Sequence, residues 1–84
     1  MEVYVGNLPF ETTLDEIRAM FVFYGSVYSV DLHTEREPGR PHAYAFVEMI
    51  ADDAETAIEA LDGTVFFGRT LRVEPAKDQV VKPE

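Results

Sequence analysis

The segment His42-Ala43-Tyr44-Ala45-Phe46-Val47-Glu48-Met49 constrains the fold more than any other part of the chain. Side chains alternate across a β-strand, so a strand divides its residues between two faces. Ala43, Ala45, Val47 and Met49 share one parity and are small or apolar, as a covered face requires. His42, Tyr44, Phe46 and Glu48 share the other. A strand of this kind belongs in an antiparallel sheet with one face packed and the other open to water.

The rest of the chain supplies that sheet's neighbours and its cover. Glu2 to Gly6 alternates in the same way, with Val3 and Val5 inward and Tyr4 outward, and Asn7-Leu8-Pro9 ends it. Thr13-Leu14-Asp15-Glu16 has the form of a capping box. Leu14, Ile17, Met20, Phe21 and Tyr24 then recur at helical spacing, and Gly25 stands at a natural helix stop. Val27 to His33 reads as a second strand, Thr34 to Pro41 as a loop, and His42 to Met49 as a third strand. Asp52 or Asp53 is expected to cap a second helix whose apolar stripe is Ala54, Ala57, Ile58 and Leu61, closed by Asp62-Gly63. Thr70 to Glu74 reads as a fourth strand with Leu71 and Val73 inward. The order β-α-β-β-α-β predicts an α+β sandwich: a four-stranded antiparallel sheet with both helices on one face. Phe10, Phe21, Phe23 and Tyr24 are expected in the core or at its edge, and Phe66 in the core with Phe67 at the surface.

An 84-residue chain is one domain. Residues 1–76 are expected to form it, and residues 77–84, polar and carrying Pro83, to be a short mobile tail. The absence of cysteine excludes disulfides and thiolate metal sites. No apolar run approaches the roughly 20 residues a membrane helix needs. The first residues lack the basic start and apolar run of a signal peptide. No membrane association and a cytoplasmic location are expected. The glycines at 6, 25, 39, 63 and 68 lie apart, so none builds a phosphate-binding loop. His33 and His42 flank the loop and Asp31 shares the side of His33, but a third strong ligand is lacking and no metal site is assigned. No catalytic residue and no cofactor is assigned either, and the chain is not expected to be an enzyme.

Tyr4, Tyr44 and Phe46 are thus placed on the side of the sheet that carries no helix. Exposed aromatic clusters mark binding surfaces. A base stacked on an aromatic ring gains ~1–3 kcal/mol, and every base has a π-face. The alternative use of such rings is packing, under the tail or in a dimer.

Val3-Tyr4-Val5-Gly6-Asn7-Leu8 resembles the hexamer motif of the RNA recognition motif family, and His42 to Met49 resembles its octamer motif. The resemblance continues through Ala57-Ile58-Glu59-Ala60-Leu61-Asp62-Gly63 and Gly68-Arg69-Thr70-Leu71-Arg72-Val73, and covers about residues 2–76. The short length is similar to that of stand-alone bacterial and cyanobacterial members. The resemblance implies the ferredoxin-like fold and single-stranded RNA as ligand, with single-stranded DNA as the variant that the 2′-hydroxyl excludes or admits. It implies that Tyr4 stacks one base, and that Tyr44 and Phe46 stack a neighbour and contact sugar. It implies that Asn7 shapes the first loop. Arg40, His42, Arg72 and Lys77 are the expected polar contacts, and the expected role is post-transcriptional, in RNA stability, folding or translation.

The chain departs from the family pattern at three octamer positions. Ala43 stands for the usual glycine, Met49 for an aromatic, and His42 for a lysine or arginine. His42 carries charge only below its pKa, so binding is expected to strengthen as pH falls through its titration. There are 16 acidic and 7 basic residues, for a net charge of −9. The acids of the two helices are expected to lie behind the sheet, leaving the binding side less acidic than the average, though Glu2, Asp31, Glu48 and Glu74 remain near it. A Kd on the order of 1–100 μM for a short oligomer and a log–log salt slope of about −1 to −2 follow. The competing reading is an acidic protein-interaction module on the same fold, with a basic partner. Peptide-binding variants of the family carry an Arg-x-Phe signature before the last strand, where this chain has Arg69-Thr70-Leu71. A monomer is expected in either case.

Overall fold

The computed structural model describes residues 1–36 and 41–76. Its elements are β1 (Glu2–Leu8), α1 (Leu14–Val22), β2 (Val27–Glu35), β3 (His42–Met49), α2 (Ala51–Leu61), β4 (Val65–Phe66), β5 (Arg69–Thr70) and β6 (Arg72–Pro75). Strands β2, β3, β1 and β6 form a four-stranded sheet in that order, and every neighbouring pair is antiparallel. The predicted β-α-β-β-α-β sandwich is the fold observed. Strand β3 alternates without a break between half-buried and buried residues, as its sequence requires.

The core lies between the sheet and the two helices. Val3, Val5, Leu8, Ala43, Ala45, Val47, Met49 and Val73 come from the strands, Ile17 and Phe21 from α1, and Ala54 and Ala57 from α2. Helix α1 lies against β2, and α2 lies against β6, β1 and β3. The two alanines let the axis of α2 approach the sheet closely. Thr13 and Glu16 form the expected capping box: the Glu16 amide donates to Thr13 Oγ1 at 3.2 Å, and the Thr13 amide donates to Glu16 Oε1 at 2.9 Å. The turn after α1 runs so near α2 that a Cβ on Gly25 would collide with the carboxylate of Asp53. Glycine is needed there for the close approach of this turn to α2.

Four expectations need correction. Ile50, not Asp52 or Asp53, occupies the N-cap of α2, and the two aspartates fall in its first turn. Acidic side chains favour the N-terminal turn through the helix dipole as well as through capping, so their presence does not fix the cap residue. The fourth sheet strand is Arg72–Pro75; Arg69–Thr70 pairs instead with Val65–Phe66 in a separate two-stranded sheet. Leu71 links the two pieces and is buried. Leu14 and Phe23 were expected to pack inward, yet they are 49% and 82% exposed. The apolar arc of α1 is narrower than its spacing suggested: Ile17 and Phe21 are buried, and Met20 and Tyr24 pack at the edge. Phe66 packs against the core and Phe67 is exposed, as expected.

Candidate nucleic-acid interface

The face of the sheet opposite the helices presents the rings. Tyr4 and Phe46 are register partners across β1 and β3, with centroids 5.7 Å apart. Tyr44 completes a triangle, 6.1 Å from Tyr4 and 5.9 Å from Phe46. These separations fall in the range where tilted and edge-to-face aromatic pairs attract. The three rings therefore hold one another in place while their outer surfaces meet solvent; all three are half-buried.

Gly6 is the floor under the Tyr4 ring. It lies two residues further along β1, on the same face, and a Cβ there would sit 2.6 Å from Tyr4 Oη and 2.7 Å from Cε2. The phenol thus leans along its own strand over a residue without a side chain. Just beyond, β1 bulges: Val5 pairs with Ala45 but Leu8 pairs with Ala43, so one extra residue is inserted on β1. The bulge turns Leu8 into the core, against the parity set by Val3 and Val5. Asn7 takes up the distortion with φ +65°, a left-handed conformation that asparagine tolerates better than most residues.

Asn7 is also the knot that ties β1 to the β4–β5 hairpin. Its Nδ2 donates to the Thr70 carbonyl at 2.7 Å, and Arg69 donates to both the Asn7 carbonyl (3.1 Å) and Oδ1 (2.9 Å). Arg69 is committed to this bracing role at the end of the ring-bearing strand.

Strand β2 contributes a fourth ring. His33 is the register partner of Tyr44 and stacks on it, with centroids 5.2 Å apart and planes 15° apart. It stands edge-on to Phe46 at 6.1 Å. The His33 Nε2 contacts Asp31 Oδ2 at 3.2 Å. The two histidines that flank the loop in sequence are not register partners: His33 lies opposite Tyr44, and His42 opposite Glu35. Among the described residues, no group of three metal-ligating side chains converges. For the missed residues, parity was readable in the sequence and register was not. Gly6 shares the parity of Tyr4, and His33 shares the parity of Asp31, which falls opposite Phe46.

The separation of charge is only partial. Register places Asp31 beside Phe46, Glu74 beside Tyr4, and Glu2 opposite Glu48 on the open face. The Glu48 carboxylate accepts from the Met1 ammonium at 2.9 Å, which relieves the like-charge pair. Arg72 stands next to Gly6 in register and 3.8 Å from Glu74. Because strand parity alone decides which face a strand residue joins, acids on strands cannot retreat behind the sheet as helix acids do. Burial raises the pKa of the Tyr4 phenol above its ordinary value; the Arg72 charge opposes this, and Glu74 and Tyr44 add to it. Tyr4 therefore keeps a neutral ring at physiological pH.

Of the expected contact residues, Tyr4, Tyr44, Phe46, His42 and Arg72 fall on the open face, and Asn7 sits at its end as a backbone brace. Arg40 and Lys77 lie outside the described residues, as does the tail 77–84. On the opposite side an open groove of about 470 Å³ runs between α1, the end of α2 and the hairpin, lined by Glu16, Met20, Leu61, Val65, Phe66 and Phe67 among others. No described helix is long and apolar enough to cross a membrane.

Comparison with known proteins agrees with this geometry. The model of the RNA recognition motif family matches residues 3–72. RbpA of Nostoc sp. (strain PCC 7120), a protein named for RNA binding, is 50% identical over 78 residues, covering 92% of this chain and 76% of the relative. RbpA of Synechocystis sp. (strain PCC 6803) is likewise 50% identical over 78 residues, with 92% and 77% covered. The crystal structure of RNA-binding protein PG1 superposes with a TM-score of 0.80 at 39% identity, covering 100% of this chain and 99% of that one. With its two motifs on the central strands of this sheet, the chain belongs to the RNA recognition motif family.

Proposed function

We propose that this protein binds single-stranded RNA on the open face of its sheet, by base stacking on Tyr4, Tyr44 and Phe46. The observation that carries the reading is the ring triangle, with centroids 5.7 to 6.1 Å apart on a face no helix covers. Arg72 supplies a cation beside Tyr4, and Arg40, Lys77 and His42 supply further polar contacts. Asn7 holds the end of β1 in the conformation that presents Tyr4. The role is that of a cytoplasmic, non-enzymatic, monomeric binder acting after transcription, on RNA stability, folding or translation. Single-stranded DNA binds less well where the 2′-hydroxyl is contacted. Fluorescence anisotropy with labelled RNA pentamers tests the reading. Tyr4→Ala and Phe46→Ala are each expected to weaken binding by about 5- to 150-fold, the equivalent of one lost stacking contact. Unchanged affinity in both variants overturns it.

A second reading rests on the groove behind the sheet. Phe67 and Val65 are 74% and 68% exposed at its mouth, with Glu11 and Glu16 beside Phe67. Apolar anchors among carboxylates suit a partner segment that is apolar and basic. This surface is separate from the rings, so Phe67→Ser would abolish protein binding and leave RNA affinity within about twofold, whereas Tyr4→Ala would do the reverse.

A further inference from the structure

The ring platform does not end at β3. His33 extends it onto the edge strand β2, fixed by Tyr44 on one side, with planes 15° apart, and by Asp31 through its Nε2 at 3.2 Å. An ionised carboxylate only accepts, so the imidazole nitrogen is the donor. The consequence is that Asp31 is held as an acceptor at the edge of the platform, opposite Phe46 in register. Its side chain is 73% exposed, and a carboxylate offers about four lone-pair positions, of which His33 uses one.

A carboxylate beside stacking rings repels phosphate and selects among base edges. Guanine presents two adjacent donors, N1–H and the N2 amine, which match the two oxygens of a carboxylate. Adenine and cytosine present an amine next to a ring nitrogen that is itself an acceptor. Uracil presents N3–H between two carbonyl oxygens, both turned toward the negative charge. Guanine is the base whose edge places no acceptor against Asp31.

We propose that Asp31, oriented by His33, reads a guanine stacked on the β2 side of the platform, and so gives the RNA surface its base preference. This rests on the stacking reading above. Asp31 is the specificity-determining residue and His33 the positioning residue.

The test uses the full chain and three oligomers: pentauridylate, the same oligomer with one central guanine, and the same with inosine in that place. Inosine keeps N1–H and lacks the N2 amine. The wild type is expected to bind the guanine oligomer at least about tenfold more tightly than pentauridylate, with inosine between, as the loss of one hydrogen bond to a charged group requires. Asp31→Asn is expected to bind all three within about twofold of one another, and His33→Ala to shrink the preference without removing stacking. Both residues are exposed, and a dispersed amide NMR spectrum verifies that the variants fold. Guanine preference retained in Asp31→Asn overturns the proposal, as does a wild type that binds all three equally. A wild type that binds none of them overturns the stacking reading itself.

Discussion

Replacing Gly6 by alanine separates the presentation of Tyr4 from the stability of the sheet. The added Cβ would lie 2.6, 2.7 and 2.9 Å from Tyr4 Oη, Cε2 and Cζ. Carbon atoms in contact sit about 3.5–4.0 Å apart, so the ring has to lift or swing by about 1 Å. Gly6 does not have a positive φ, so its backbone accepts alanine. Removing glycine freedom from the unfolded chain gains about 0.4–1 kcal/mol, and an off-rotamer tyrosine costs about 0.5–1.5 kcal/mol. The two nearly cancel, and the midpoint of urea unfolding should shift by less than the equivalent of about 1 kcal/mol. Binding should respond more. If the displaced ring no longer meets its base, the loss is that of one stacking contact, ~1–3 kcal/mol. Calorimetry with a short RNA oligomer measures it, and a double-mutant cycle locates it: in a Tyr4→Ala background, Gly6→Ala should cost nothing further. Wild-type affinity in Gly6→Ala, or the same loss with and without Tyr4, would refute the argument.

Other outcomes follow from the same geometry. Because burial raises the Tyr4 pKa, its phenol should titrate above its ordinary value of 10.0, still higher in Arg72→Ala and lower in Glu74→Gln, as read from ring shifts by NMR. The sign is that of a neutral form favoured by folding, so stability from this group is complete below the unfolded-state pKa and falls as pH rises through the folded one. Asn7→Ala combines a left-handed backbone with the loss of the Thr70 and Arg69 bonds, and should destabilise the protein by about 1–3 kcal/mol in urea unfolding; no change would mean that the bulge relaxes. Affinity measured across salt should give a log–log slope of about −1 to −2, and a steep slope would contradict the acids found around the rings.

Where sequence and structure agree, the reason is strand parity. His42 to Met49 and Glu2 to Val5 each divide cleanly between small or aliphatic and aromatic or polar residues, so both faces were legible before any pairing was known. The bulge at Gly6 and Asn7 was not, because it is a property of the register between β1 and β3, which neither strand specifies alone. The place of Leu8 in the core follows from it. His33 was hidden for the same reason: its membership of the platform depends on lying opposite Tyr44. The β4–β5 hairpin escaped because a two-residue strand has no periodicity to detect. Phe23 misled because residues at helical spacing are buried only as far as the covering layer reaches, and that layer stops at Phe21 and the edge of Tyr24.

The central claim is that the open face of the sheet is the RNA surface, and one measurement addresses it most directly: an NMR titration of the labelled protein with mixed short RNA oligomers. Shifts are expected at Tyr4, Gly6, His33, Tyr44, Phe46 and Arg72, with the groove around Val65 and Phe67 unmoved. Shifts confined to that groove, or none at near-millimolar RNA, would contradict it.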